Sequence, residues 1–258
     1  KIKFIIHSHN AKIGDSLVKS IRNFLFIYPV RFLFKNKIAC SLEAYKGAFG
    51  SSKNKNPIII HNAIDYDRFS KYKNVRNNRK DKYDIGTNQI VIGHIGRFDL
   101  QKNHIFILDV FKEVLKVNSN YVLCLAGEGP LKEKIIKKSL TLGINNKIIM
   151  LTPTTQVEDY YAIFDLFLFP SLFEGLPLTL QEAQASGLKC IVSDSISKEG
   201  LLDQICNIIS LKKTSAYWAQ EILALPLSKR DYFSELYKHK GIRLSNEINK
   251  LELFYNSI

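Results

Sequence analysis

From Asp84 onward the chain alternates between two hydrophobic periods, and few folds accept that alternation. Five short runs are rich in branched and aromatic residues. They are QIVIGHIG (Gln89–Gly96), YVLCLAG (Tyr121–Gly127), KIIMLT (Lys147–Thr152), DLFLFPS (Asp165–Ser171) and KCIVSD (Lys189–Asp194). Between them lie stretches with apolar residues at helical spacing: Lys102–Asn118, Gly129–Gly143, Gln156–Phe164 and a helix with Pro177 in its first turn, closed by Gly187. Strands that are apolar on both faces, separated by helices, require a parallel sheet covered on each side. The sequence therefore predicts a doubly wound α/β domain of Rossmann type.

A second α/β piece precedes it, with strands expected at Lys3–Ile6 and Pro57–His61. The polar, charged stretch Lys71–Asp84 is the linker candidate, and the chain reads as helical again from about Asp231. The expected organisation is a partial first domain (1–75), a complete second domain (76–230) and a terminal helical segment (231–258). No internal repeat is visible.

Charge narrows the partners. Lys and Arg number 37 against 24 Asp and Glu, for a net +13 over 258 residues. Residues 1–60 carry eleven of those cations and only Asp15 and Glu43 against them. Such a balance suits an anionic partner: nucleic acid, anionic lipid or a phosphorylated substrate. Biased Lys, Asn and Ile usage gives the same balance with no partner at all. The stretch SIRNFLFIYPVRFLFKNKIAC (Ser20–Cys40) interleaves basic and apolar residues. It fits a membrane surface, but a helix with one buried face is the reading we favour. It holds no uncharged apolar run long enough to span a bilayer. Four cysteines (Cys40, Cys124, Cys190, Cys206) are far apart, without C-x-x-C, and read as buried free thiols.

Ligands of open α/β sheets bind where strands end. After the first strand of the larger domain comes GRFDLQK, in which Arg97 and Lys102 bracket a loop and a helix starts near Asn103. Two cations and a helix N-terminus make an anion site, with phosphate the first choice. The bland alternative is two solvated charges. AGEGP (Ala126–Pro130) holds a lone G-x-G, and the G-x-G-x-x-G fingerprint is absent there and at Gly93 and Gly96, against NAD or FAD. FEGLPLTLQEAQASG (Phe173–Gly187) places Glu174 in the loop after a buried strand and Glu182 more than a turn into the next helix. Glu174 could merely complement a helix dipole and Glu182 could be solvated. A glycosidase acid–nucleophile pair needs both carboxyls flanking one bond, which this placement does not give.

Together these segments resemble retaining glycosyltransferases of family 4, of GT-B architecture, and most closely the bacterial exopolysaccharide and capsule branch. The resemblance covers nearly the whole chain: HSHN (His7–Asn10), ACSLEAYKGAFG (Ala39–Gly50), HNAIDYDRF (His61–Phe69), GHIGRFDLQKNH (Gly93–His104), AGEGP and FPSLFEGLPLTLQEAQASG. Glu174 and Glu182 have the family's E-x7-E spacing. The resemblance implies that Arg97 and Lys102 neutralise the diphosphate of a nucleotide-sugar donor. Glu174 accepts from sugar hydroxyls and Glu182 from the ribose. The backbone of Gly175, Leu176, Pro177 and Leu178 faces the sugar and phosphates. Gly96, Gly127 and Thr154 complete the donor site, with the loop Thr152–Gln156 bordering the base. His7 matches the histidine beside the transferring sugar, in preference to His9.

The resemblance further implies transfer without a metal or other cofactor, to a lipid-linked or glycan acceptor. The basic first 60 residues suit the cytoplasmic face of a membrane. Asp65-Tyr66-Asp67 imitates the D-x-D metal motif of another glycosyltransferase fold, but lies in a family turn segment and reads as structural. No recognised nucleic-acid module is present. The family's first domain starts well before the strand that opens this chain, so about half of it, with its Gly-rich loop, is expected to be missing. A non-catalytic nucleotide-sugar-binding remnant is therefore the alternative to an active transferase.

Overall fold

The protein is described from a computed structural model, which covers residues 4–9, 29, 33–50, 57–71, 80–227 and 230–258. The larger unit is a six-stranded parallel sheet. Its strands are β4 (Ile90–Ile95), β5 (Tyr121–Ala126), β6 (Ile148–Leu151), β7 (Leu166–Phe169), β8 (Lys189–Ser193) and β9 (Cys206–Ile209). Their spatial order is β6-β5-β4-β7-β8-β9. The order reverses between β4 and β7, and a crevice opens at such a switch point in doubly wound sheets. β4 and β7 are registered only at Ile92↔Leu166 and Gly93↔Phe167.

Helices cover both faces. One layer holds α3 (His104–Val117), α4 (Lys132–Thr141) and α7 (Ser215–Leu223), over a core that includes Leu123, Leu168, Ile191 and Trp218. The other holds α5 (Glu158–Ile163), α6 (Leu178–Ala185) and α8 (Arg230–Lys240), over Tyr161, Phe167, Phe169 and Val192. Burial on both faces explains why these strands read as continuous apolar runs. All four cysteines are buried free thiols, as expected from the sequence.

The smaller unit is a three-stranded parallel sheet of β1 (Ile5–Ser8), β2 (Asn36–Ala39) and β3 (Ile58–Ile59), in that order, with helices α1 (Leu42–Phe49) and α2 (Tyr66–Ser70). Two expectations change here. The first strand runs two residues later than Lys3–Ile6, so His7 lies inside it and His9 follows it. The helix expected over Ser20–Cys40 fails at its end: Asn36–Ala39 is β2, because branched Ile38 slots between β1 and β3. Most of Ser20–Cys40, and most of the linker candidate Lys71–Asp84, lies outside the described residues. The terminal helix α9 (Leu244–Ser257) crosses back to this sheet, where Phe254 and Leu251 pack on Ile38, Ile60 and Ile5.

Asp65 and Asp67 have a local role. Asp65 is the N-cap of α2 and accepts from the Asp67 amide at 3.0 Å. At the far end of the large sheet, Lys80 donates to the Gln89 carbonyl at 2.6 Å and faces Asp165 at 3.6 Å, both groups buried. Asp165 also accepts from the Val91 amide at 2.8 Å, tying β7 to β4.

Candidate functional site

The carboxyl ends of the two sheets face each other, and the site is built on the β4–β7 side of that cleft. Gly96 and Arg97 follow β4. Gly127 follows β5 with φ +149°, a conformation that favours glycine, and a Cβ there would lie 2.1 Å from the Gly96 carbonyl. The two strand ends are thereby packed backbone to backbone. A pocket of about 330 Å³ opens above them, lined by Gly96, Arg97, Gly127, Thr154, Val157 and Tyr160 among others. Tyr160 holds the rim by donating to the Thr152 carbonyl at 2.6 Å.

Lys102 and Glu174 meet at the floor between β4 and β7. Lys102 Nζ lies 2.6 Å from Glu174 Oε1 and 4.7 Å from the centre of the Phe169 ring. Only 14% and 9% of the two side chains is exposed, so the pair sits in a crevice where few groups screen it. The loops that carry them are stitched together. Gln101 donates to the Phe173 carbonyl at 2.9 Å and accepts from the Leu172 amide at 2.8 Å. Asn103, left-handed at φ +56°, donates to the Pro170 carbonyl at 3.2 Å. The Glu174 carbonyl accepts from the Ser197 amide at 3.2 Å.

Beneath Lys102 lies an aromatic layer. His94 stacks on Phe167 and Phe169, and its edge contact with His104 has ring centres 4.7 Å apart. His94 Nδ1 is 2.8 Å from the Leu168 carbonyl, which can only accept, so Nδ1 carries the proton and Nε2 offers a lone pair. Burial, then the neighbouring His104, holds His94 well below the usual imidazole range. Burial and then Lys102 bring His104 down to about 4. The layer is neutral and adds no charge to compete with Lys102.

Glu182 stands apart from the Lys102–Glu174 pair. It is half-buried on α6 and accepts from the Tyr161 hydroxyl at 2.7 Å. Burial pushes its pKa up, while the Tyr161 hydrogen bond and the Arg68 charge pull it down. Pro177 lies one residue before the helix expected to contain it. It is the extended N-cap (φ −72°, ψ 123°), and Leu178 opens α6.

Gly175 packs tightly against the smaller unit: a Cβ there would lie 2.7 Å from the His9 carbonyl. Asn62 Nδ2 donates to the Leu176 carbonyl at 2.9 Å, and Gln181 Nε2 donates to the Asn62 carbonyl at 2.7 Å. The His9 ring lies 3.1 Å from Asn62 Oδ1, and its centre is 4.0 Å from that of His7. The His7 pKa is lowered, first by burial and then by His9, so the ring is largely neutral at pH 7.

Residues 75–207, more than half of the chain, match the sequence family described as Glycosyl transferases group 1. The chain belongs to that family. A Bacillus subtilis protein designated glycosyltransferase EpsF is 29% identical over 98% of this chain and 68% of its own length. The Escherichia coli UDP-Gal:alpha-D-GlcNAc-diphosphoundecaprenol alpha-1,3-galactosyltransferase is 27% identical over 53% of this chain and 36% of its own. Among solved structures, Anabaena Alr3699/HepE in complex with UDP and glucose superposes with a TM-score of 0.81 at 13% identity, over 99% of this chain and 72% of that one. The two Rossmann-like units therefore form a GT-B glycosyltransferase fold. Among the described residues no helix is long and apolar enough to cross a membrane.

Within this glycosyltransferase the structure brings together Gly96, Arg97, Gly127 and Thr154 around one pocket, and Lys102 with Glu174 beside it. Gly175 and Leu176 border the facing unit. His7 and Glu182 occupy separate walls. Sequence reasoning missed Asn62 and Gln181, which join the units, and Tyr161, which holds Glu182. Only the buried setting of Gln181, among the apolar residues of the helix, could have marked it.

Proposed function

We propose that this chain is a retaining, family 4 glycosyltransferase moving a sugar from a nucleoside-diphosphate donor to a lipid-linked or glycan acceptor in bacterial surface-polysaccharide synthesis. The observation that carries the reading is the convergence at the switch point. The Gly96–Arg97 pocket and the Lys102–Glu174 pair lie at the adjoining strand ends, one suited to a nucleotide and the other to a diphosphate and a sugar. The names of the E. coli relative and of the HepE complex, with an undecaprenol-linked substrate and UDP, support donor and acceptor class.

The chemistry follows from the groups present. The bond between the anomeric carbon and the diphosphate oxygen breaks, and its electron pair leaves on the phosphate. Arg97, Lys102 and the free amides at the start of α6 stabilise that growing charge. No metal cofactor is needed to supply it. The diphosphate draws Lys102 away from Glu174, whose carboxylate then accepts from paired sugar hydroxyls. Glu182 takes the ribose hydroxyls. The acceptor hydroxyl attacks from the face the leaving group vacates and passes its proton to the departing diphosphate oxygen, which keeps the anomeric configuration. His7 and His9, on the facing wall, stand toward the acceptor side. Basic residues near the amino end suit peripheral contact with an anionic membrane.

The test is sugar transfer by the purified chain from UDP- and GDP-sugars to a lipid-linked acceptor, with Lys102→Ala and Glu174→Ala beside it. Loss of about two orders of magnitude in either variant is expected, the size typical of a preorganised charge partner. Full activity in either variant rejects that residue. Nucleotide binding without any turnover in the parent chain rejects catalysis and leaves a donor-binding protein.

A further inference from the structure

Arg68, on α2, precedes the stretch 75–207 that matches Glycosyl transferases group 1, yet its guanidinium reaches the nucleotide side of the larger unit. Nε and Nη2 donate to Glu158 Oε2 at 3.0 and 2.7 Å, and Nη2 also donates to the Thr155 carbonyl. Glu158 is buried and opens α5, so its carboxylate needs a cation close by. The same helix supplies Tyr160, which holds Thr152, and Tyr161, which holds Glu182. The loop over the pocket is thus pinned at Thr152 from its own unit and at Thr155 from the smaller one, with Thr154 between.

We infer that Arg68 is a positioning residue for nucleoside-diphosphate binding, clamping the Thr152–Gln156 loop to α5 and joining the nucleotide pocket to the smaller unit. The inference rests on the reading that the pocket takes the nucleotide and Glu182 the ribose. A guanidinium fork suits this place because it reaches a carboxylate and a carbonyl at once, which an ammonium does less well. The clamp also has an electrostatic arm. Burial and then Glu158 favour the protonated form of Glu182, while Tyr161 and Arg68 favour the carboxylate that ribose hydroxyls require. Tyr237, on α8, also faces Glu182, and burial followed by that carboxylate's charge raises the phenol beyond its usual range, keeping it neutral. Among the described residues, Arg68 is the cation acting on this group.

The measurement is calorimetric titration of the whole chain with UDP and with GDP across roughly pH 5.5–8.5, for the parent, Arg68→Met, Arg68→Lys and Glu182→Gln. Arg68→Met should weaken binding on the order of tenfold at neutral pH, the loss of a charge-assisted hydrogen bond. The deficit should widen as pH falls, because Glu182 then takes its proton at a higher pH. Arg68→Lys should restore the pH profile and only part of the affinity. Unchanged binding in Arg68→Met overturns the inference. So does an equal loss at every pH that Lys fails to mend, which is what general loosening gives. If Glu182→Gln binds like the parent, or the parent binds neither nucleotide, the underlying pocket reading fails instead.

Discussion

In the six-stranded sheet, β7 is fully buried along Leu166–Phe169, and β4 and β8 flank it. In the three-stranded sheet, β3 contributes two paired residues, and Phe4 and Ile58 are 64% and 42% exposed. The larger unit closes its core with its own helices and takes in Ile64 and Phe69 from the smaller one. The smaller borrows on both faces: Leu176 completes the cluster around Ala39, Cys40 and Tyr45, and Phe254 completes that around Ile38 and Ile60. A unit that borrows its core can shift only together with its lenders. The polar stitches Asn62–Leu176 and Gln181–Asn62 then fix where His9 and Gly175 meet.

The strongest way to break this contrast is to empty one core at a time. Phe167→Ala removes a wholly buried ring from the middle of the large sheet and should cost about 3–5 kcal/mol in chemical denaturation. Phe254→Ala takes a ring from α9 and should cost about 2–4 kcal/mol, since α9 can settle toward the sheet. Hydrogen exchange separates the two. Phe254→Ala should deprotect β2 and leave β5 protected, whereas Phe167→Ala should deprotect both sheets. Equal loss of protection everywhere in Phe254→Ala would mean that the sheets open as one.

A smaller change sharpens the junction itself. Gly175→Ala sets a Cβ against the His9 carbonyl, and neither backbone can yield without parting the units. The cost should be about 1–3 kcal/mol, the usual size of an overpacked contact. UDP affinity, which depends on the larger unit's pocket and the Arg68 clamp rather than on the Gly175 contact, should stay within a few-fold of the parent while sugar transfer falls at least tenfold. Transfer at the parental rate would show that this contact does not set the cleft.

How much of this was legible in the sequence also divides along the two sheets. The strands β4 to β8 announced themselves because burial leaves few polar residues to interrupt the run. The ends Arg97, Lys102 and Glu174 followed from that framework. The smaller sheet gave little signal. Its strands are two to four residues long and its partners are distant in sequence, so Asn36–Ala39 hid within what looked like an amphipathic stretch. β9 also passed unread, because Asn207 breaks its apolar run and the preceding turn is polar. Contacts between units, such as Arg68 with Thr155 and Glu158, leave no periodic trace. Their two halves lie 87 and 90 residues apart.

The finest test concerns the carboxylates where the units meet. Glu199 accepts from the Leu42 amide at 2.8 Å and lies 2.9 Å from His61 Nε2, while Glu43 accepts from the Ser197 hydroxyl at 2.9 Å. Glu43 and Glu199 also hydrogen-bond to each other. Burial, and then Glu43, raises the Glu199 pKa; burial acts the same way on Glu43, but hydrogen bonds from Glu199 and Ser197 bring it below its ordinary value. The signs therefore oppose. A raised acid contributes stability that is present at low pH and lost as pH rises through its folded value. A lowered acid contributes stability that is lost as pH falls through its own. The junction is tightest between the two, with Glu199 protonated and Glu43 ionised. Glu199→Gln mimics that state at every pH, keeping an acceptor for Leu42 and a donor for Glu43. It should raise the thermal midpoint at neutral pH by the equivalent of under about 1 kcal/mol, since both groups are partly solvated, and change it little near pH 4.5. A midpoint difference that stays constant across that range would mean that the two carboxylates do not share a proton, and that the junction is held by the packing at Gly175 and Leu176 and by the other polar contacts between the units.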